Sequence, residues 1–339
     1  MRLGISIFPG WKEIKSEQME LIKKANEYGY SQIFMGIGPG THWRTPVTEA
    51  FKEAKEYLEL ANKLGYYVFF DVNPEIFREL SVSPQTVDKF KDYGFSAIRV
   101  DYGFSVEQII EMSKKIKIEL NPFEFPLNEL DSFLQKVDME KVAVSHNYYP
   151  VYYTAISLSD AVEKSKRFKE KGLSVGAFVD NSKFRLRTTV ETLRFKTPGY
   201  AGRLLFLAGV ADRILIGDPV PYEDDLLSLK NSFIGDSVLF NVITEREVKQ
   251  QEQLIHLVCE VKDFMLQCRS NGNVECEREE VNSLEKGNVI LNCKDNRSII
   301  IGLKDTYGIV DKSYRLGEIV EKELLDFKPT RISLKIVKL

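Results

Sequence analysis

Short β-branched and aromatic runs in this chain end, one after another, in residues that can move protons or grip hydroxyl groups. FFDVNPE delivers Asp71 and Asn73, AIRVDYGF delivers Arg99 and Asp101, and IELNP delivers Glu119 and Asn121. AVSHNYYP delivers His146, Asn147 and Tyr148, AFVDN delivers Asp180 and Asn181, and LIGDP ends in Asp218. The first two runs offer only Ser6, Phe8 and a Gly-rich loop with His42, Trp43 and Arg44. Side chains alternate along a strand, so Arg99 and Asp101 share a face, and charges on an interior face need partners. An Asp at a strand end can equally cap a helix or order a turn, and Asp218-Pro219 has that character. Polar residues at the same end of consecutive strands nevertheless point to one site. Several Asn and Asp, a few Tyr and one His suit a hydroxyl-rich ligand such as a sugar. Paired carboxylates can act as acid, base or nucleophile in glycoside cleavage. Asp101, on the strand end of Arg99, leads for acid or base, while Asp71, Asp180 and Glu191 compete for the second carboxylate. Arg185 and Arg187 share a face if their segment is extended, and could then grip a phosphate or carboxylate.

Other chemistries find less support. With only three histidines (His42, His146 and His256) and no HxH or HExxH pattern, a catalytic zinc centre is disfavoured, and no metal or cofactor is expected. No strand ends in a lysine able to form a Schiff base. Lys and Arg total 47 against 50 Asp and Glu, without a basic stripe, so nucleic acid is not an expected partner. No apolar run approaches the roughly 18 residues of a membrane helix, and MRLGISIFPGW reads as a first strand rather than a signal peptide. Cys259, Cys268, Cys276 and Cys293 form no CxxC pair, which predicts reduced thiols and a cytoplasmic location.

The elements that must position these residues alternate regularly. Strands are expected at Leu3–Phe8, Gln32–Gly36, Tyr67–Val72, Ala97–Asp101, Lys117–Asn121, Val142–Asn147, Ser174–Val179 and Arg213–Gly217. Each precedes an amphipathic stretch, among them Ser83–Tyr93 and one headed by Ser159. Gly29, Gly65, Gly94 and Gly172 mark helix ends. Eight such units predict a (β/α)8 TIM barrel over residues 1–231, and the first turn lacks the GxGxxG of a doubly wound sheet. Beyond Ser232 strand-like runs replace helical periodicity, and Asn271-Gly272 between alternating runs signals a hairpin. Residues 232–339 therefore read as a small antiparallel β-barrel, which could cover the first domain or support homo-oligomer formation.

VDYGF (Val100–Phe104), SHNYYP (Ser145–Pro150), LGISIFP (Leu3–Pro9), DVNP (Asp71–Pro74) and LIGDP (Leu215–Pro219) resemble the 6-phospho-N-acetylmuramidase family. The resemblance implies a cytoplasmic glycosidase acting on a 6-phosphorylated amino-sugar glycoside during cell-wall recycling, and a TIM barrel followed by a cyclophilin-like domain. It also implies that Asp71, Arg99, Asp101, Asn121, His146, Asn147, Tyr148 and Asp218 lie in the site. The chain departs from the family at Val151, where members usually carry Arg. It departs again in KFRLRTTVETLR (Lys183–Arg194), where Thr188 and Arg194 replace Glu and Glu191 replaces Pro. A metal-dependent sugar-phosphate isomerase or lyase, and a non-catalytic phosphosugar-binding protein, are the rival readings.

Overall fold

The computed structural model describes residues 1–38, 45–245, 254–275 and 279–338. It divides into two compact units, Met1–Lys230 and Asn231–Leu339. In the first, eight parallel strands close into a barrel in sequence order. They are β1 (Arg2–Ile7), β2 (Gln32–Met35), β3 (Tyr67–Val72), β4 (Ala97–Val100), β5 (Lys117–Leu120), β6 (Val142–Ser145), β7 (Val175–Val179) and β8 (Arg213–Ile216). Most strand residues are buried, as expected when helices cover the outside and side chains fill the inside. Around them lie α1 (Lys15–Glu27), α2 (Val47–Lys63), α3 (Pro74–Glu79), α4 (Lys89–Tyr93), α5 (Val106–Ser113), α6 (Leu130–Leu134), α7 (Leu158–Lys169), α8 (Pro198–Leu207) and α9 (Glu223–Lys230).

Local chemistry explains most boundaries. Gly29, Gly65, Gly94 and Gly172 follow their helices with φ between 78° and 110°, a region that residues with a Cβ rarely enter. Two expectations needed correction. The cap of α7 is Ser157, whose side chain accepts from the Asp160 N–H at 3.1 Å, rather than Ser159. The helix expected over Ser83–Tyr93 is a single 3-10 turn followed by α4, while α3 forms just before it because Asn73 caps Ile76 and Pro74 opens the helix.

The barrel interior is partly ionic. Parallel register sets Asp71, Arg99 and Glu119 side by side across β3, β4 and β5. Glu119, fully buried, receives two bonds from Arg213, at 2.8 and 3.1 Å, and another from the Ser145 hydroxyl. Gly176 leaves this layer its room: a Cβ there would stand 2.9 Å from Ser145 Oγ and 3.2 Å from Arg213 Nη2.

The second unit is a nine-stranded sheet closed by an extra pairing, with β9 to β17 covering Phe233–Ile234, Ser237–Thr244, Leu254–Val261, Met265–Ser270, Glu279–Leu284, Asn288–Asn292, Ser298–Gly302, Thr306–Ile319 and Arg331–Lys338. Its pairings are antiparallel except β10 with β17, which run parallel. Asn271-Gly272 does not close a hairpin. β12 ends at Ser270 and pairs with β11 and β15, so the chain leaves the sheet at that turn. The reduced-thiol expectation is also overturned, because Cys259 and Cys268 are disulfide-bonded. They stand directly opposite on β11 and β12, a proximity fixed by strand register and invisible in a spacing of nine. Cys293 is disulfide-bonded as well. Among the described residues no helix is long and apolar enough to cross a membrane.

The Glu119–Arg213 pair yields a stability test. Glu119→Ala leaves a buried guanidinium without its carboxylate and should cost about 3–5 kcal/mol. Denaturant unfolding measures it, and a loss below about 1 kcal/mol would mean that water or another group satisfies Arg213.

Candidate active site

At the C-terminal ends of the strands lies a cavity of about 340 Å³, within the usual range for small-molecule sites. Arg99 is its organising residue. Nearly inaccessible itself, the guanidinium donates from Nε to the Ser145 carbonyl (2.9 Å) and from Nη2 to Asn147 Oδ1. Its Nη1 donates to Asp71 Oδ1 at 2.7 Å and Asp101 Oδ1 at 3.3 Å. Two carboxylates thus share one nitrogen. Asn121 adds bonds from Nδ2 to Asp101 Oδ1 (3.0 Å) and Asn147 Oδ1 (3.3 Å), which fixes the far edge of the cluster.

Burial pushes the Asp71 carboxyl up to about 6, against the pull of Arg99 and with help from neighbouring Asp101. A carboxyl tuned this way keeps its proton well above the ordinary aspartate range, to about pH 6, while facing a cavity, a property that suits a group that both gives and takes a proton. Asn73 caps α3 through Oδ1 and donates from Nδ2 to the Tyr102 hydroxyl at 3.2 Å. The Tyr148 ring meets Phe34 and Phe178 edge-on, giving the mouth an aromatic floor. His146 also contributes to the wall, but its Nε2 lies 2.7 Å from Ser165 of α7. Burial and the Arg99 charge lower its pKa to about 3, so the ring stays neutral.

The remaining sequence candidates hold the loop after β7. Asp218 is fully buried and accepts from the backbone N–H groups of Asn181, Leu186 and Arg187 and from Arg187 Nη1 (3.2 Å). Gly217 permits this approach: a Cβ there would lie 2.4 Å from the Arg187 carbonyl oxygen. Arg187 stacks against Phe8, with its guanidinium 4.8 Å from the ring centre. The segment is not extended at Arg185, whose φ is 57°, and that side chain bonds the Lys196 carbonyl at 2.7 Å instead. The two arginines therefore form no joint clamp. Glu191 pairs with Arg194 and accepts from the Tyr153 and Ala155 N–H groups, which hold its carboxyl down at about 2. Arg194 also bonds the Tyr149, Val151 and Leu186 carbonyls, tying the loops after β6 and β7 together. Asp180 Oδ2 accepts from Phe195 N–H at 3.0 Å, while its buried Oδ1 has no partner.

The structure thus gathers Asp71, Asn73, Arg99, Asp101, His146, Asn147 and Tyr148 around the cavity, with Asn121 bonded beneath. It sets Asp180, Arg185, Arg187, Glu191 and Asp218 in the supporting loop. Sequence reasoning missed Tyr102, Phe34, Phe178, Tyr149 and Pro150 in the wall. Phe34 and Phe178 sit in apolar strands and carry no signal apart from core packing. His42, Trp43 and Arg44 lie outside the described residues. Among the described residues no group of three His, Cys, Asp or Glu is placed to hold a metal ion.

The model of the 6-phospho-N-acetylmuramidase N-terminal family matches residues 3–231, the whole barrel. The chain belongs to that family. Its barrel is accordingly that of a glycosidase-type hydrolase, and three of the motifs that suggested the resemblance, DVNP, VDYGF and SHNYYP, supply the residues around Arg99. Among curated proteins none matches this sequence. Two solved structures share the fold along nearly the full length. One, a B. cereus protein described as uncharacterized, is 23% identical, with 99% of each chain covered and a TM-score of 0.76. The other, a conserved Enterococcus faecalis protein of unknown function, is 22% identical, with 100% of this chain and 96% of that chain covered and a TM-score of 0.69.

In this muramidase-family barrel Asp180 offers a pH test. Burial raises its carboxyl to about 7, so its contribution is present at low pH and is lost as pH rises from 3.8 to about 7. Asp180→Asn should therefore gain on the wild type across that window and hold a constant difference above it, read from urea midpoints at a series of pH values. A difference that does not change with pH would mean that Asp180 is ionised in the folded protein.

Proposed function

We propose that this protein hydrolyses the glycosidic bond of a 6-phosphorylated amino-sugar glycoside, with Asp71 as general acid and base. The observation that carries the reading is the shared Arg99 nitrogen, which holds a proton-retaining Asp71 beside Asp101 at the cavity mouth. Membership of a family described as 6-phospho-N-acetylmuramidase supports this substrate class.

In the reaction, Asp71 protonates the glycosidic oxygen as the bond to the leaving sugar breaks. Asp101 stabilises or attacks the positive anomeric carbon, and the ionised Asp71 then activates the water that completes hydrolysis. Both contacting oxygens touch Arg99 Nη1, so they stand no further apart than 2.7 Å and 3.3 Å laid end to end. Asn73, Asn147 and Tyr148 are the groups for sugar hydroxyls, and the aromatic floor suits an apolar sugar face. Glu191, held ionised by Arg194, is unsuited to proton transfer and keeps the strand-seven loop in place. A phosphorylated amino sugar would place the enzyme in the cytoplasm.

A panel of 6-phosphosugar glycosides tests this directly. Wild type should turn over at least one, and Asp71→Asn should lose about 10²–10⁴-fold in kcat while remaining folded. Binding without turnover by wild type would favour a silent phosphosugar-binding protein, and no interaction with any of them would remove the substrate class. The pH profile has a definite sign as well. If Asp71 must be protonated to act, kcat/KM falls as pH rises through about 6. A flat profile between pH 5 and 8 would contradict that role.

A further inference from the structure

Where the cavity wall ends, the chain carries aromatic side chains that the catalytic reading does not use. Tyr149 and Pro150 line the cavity. The residues that follow, Val151, Tyr152 and Tyr153, are exposed, and Phe195 from the loop after β7 joins them. The Tyr152 and Phe195 rings stand 5.6 Å apart and are tilted by 40°, within the range of a packed aromatic pair. Tyr152 is nevertheless 45% exposed and Phe195 60%, so the pair offers ring surface to solvent.

This pair is held firmly and is joined to the cavity. Arg194, whose side chain is buried, donates from Nη2 to the Tyr149 carbonyl at 3.2 Å and the Val151 carbonyl at 3.3 Å. The same guanidinium lies 5.5 Å from the centre of the Tyr152 ring. One cation thus touches both the backbone of the cavity wall and the aromatic pair, which makes the two surfaces continuous. Glu191, paired with Arg194, accepts from the Tyr153 N–H at 3.0 Å, and Asp180 accepts from the Phe195 N–H at 3.0 Å. These bonds hold two exposed aromatic residues in the left-handed region, Tyr153 with a φ of 66° and Phe195 with 70°. Bulky residues rarely adopt that conformation, and it persists where the surroundings over-determine it, as they do at ligand clamps.

A glycosidase must hold its substrate on both sides of the bond it cuts. The ring that reacts belongs beside Asp71 and Asp101, and the ring that leaves needs a surface at the cavity mouth. We propose that Tyr152 and Phe195 are that surface, a platform on which the apolar C–H face of the leaving sugar ring stacks. They would then set specificity for a disaccharide over a glycoside with a small leaving group. Rings fixed in advance lose little freedom when a ligand settles on them, so the contact adds to affinity. The proposal rests on the glycosidase reading above.

Calorimetric titration of the full chain tests it with two hydrolysis-resistant, S-linked ligands. Both carry the same 6-phosphorylated amino sugar; one is linked to a second N-acetylamino sugar and the other to a methyl group. Wild type should bind the disaccharide about ten-fold more tightly than the methyl glycoside. In the double variant Tyr152→Ala, Phe195→Ala, with its fold checked by thermal melting, the preference should shrink to about two-fold or less. Tyr152→Phe keeps the ring and should keep the preference. Equal affinity of wild type for the two ligands, a preference that survives in the double variant, or its loss in Tyr152→Phe overturns the platform while the catalytic reading stands. Binding of neither ligand removes the substrate class and the platform with it. Sedimentation of wild type and double variant covers the other occupant: a dimer that the double variant splits would assign this surface to a second copy of the chain and overturn the sugar platform.

Discussion

A guanidinium buried in the middle of a barrel can persist only if every face of it is satisfied, and Arg99 sets that condition for the rest of the site. Its donors reach one carbonyl, one amide and two carboxylates drawn from β3, β4 and β6 or the residues that follow them. The strands must therefore end in register. The parallel pairing that places Asp71 against Arg99 and Arg99 against Glu119 achieves this within the sheet itself, so no loop has to find the geometry. The same condition explains the tuning of Asp71. Burial raises its carboxyl, Arg99 keeps it from rising further, and Asp101 pushes in the same direction as burial. One cation serving two carboxylates cannot fully stabilise both ionised forms.

A second ionic layer sits below the first. Glu119 and Arg213 bond each other and Ser145, and the Ser145 carbonyl receives Arg99 Nε. Ser145 thus belongs to both layers. Such an interior is costly to desolvate and is weak evidence for stability. What it provides here is position: shifting either layer would leave charges unpaired in both.

The barrel could be read from the sequence because its cues are local. Apolar runs of strand length, glycines at helix ends and capping residues recur at each unit, and none needs a distant partner. The site was half legible for the same reason. Asp71 and Arg99 stand at strand ends that the apolar runs mark, and alternation puts Asp101 on the face of Arg99. Phe34 and Phe178 were not legible, because an aromatic at the top layer of a strand looks like any core aromatic. The loop after β7 was misread in its detail. Glu191 and Arg185 have suitable side chains, yet one left-handed residue and one ion pair direct them into scaffolding. In the second domain the register that joins Cys259 to Cys268 depends on which strands pair, and sequence spacing does not encode that.

The most direct measurement is the titration of the Asp71 carboxyl itself, by carbon-detected NMR of the side-chain resonances with Asp71→Asn for assignment. The account requires a midpoint near 6, well above an ordinary aspartate, set by burial beside Arg99 and Asp101. An Asp71 that titrates at or below the ordinary 3.8 would mean that Arg99 keeps it fully ionised, and the proposed acid would have no proton to give.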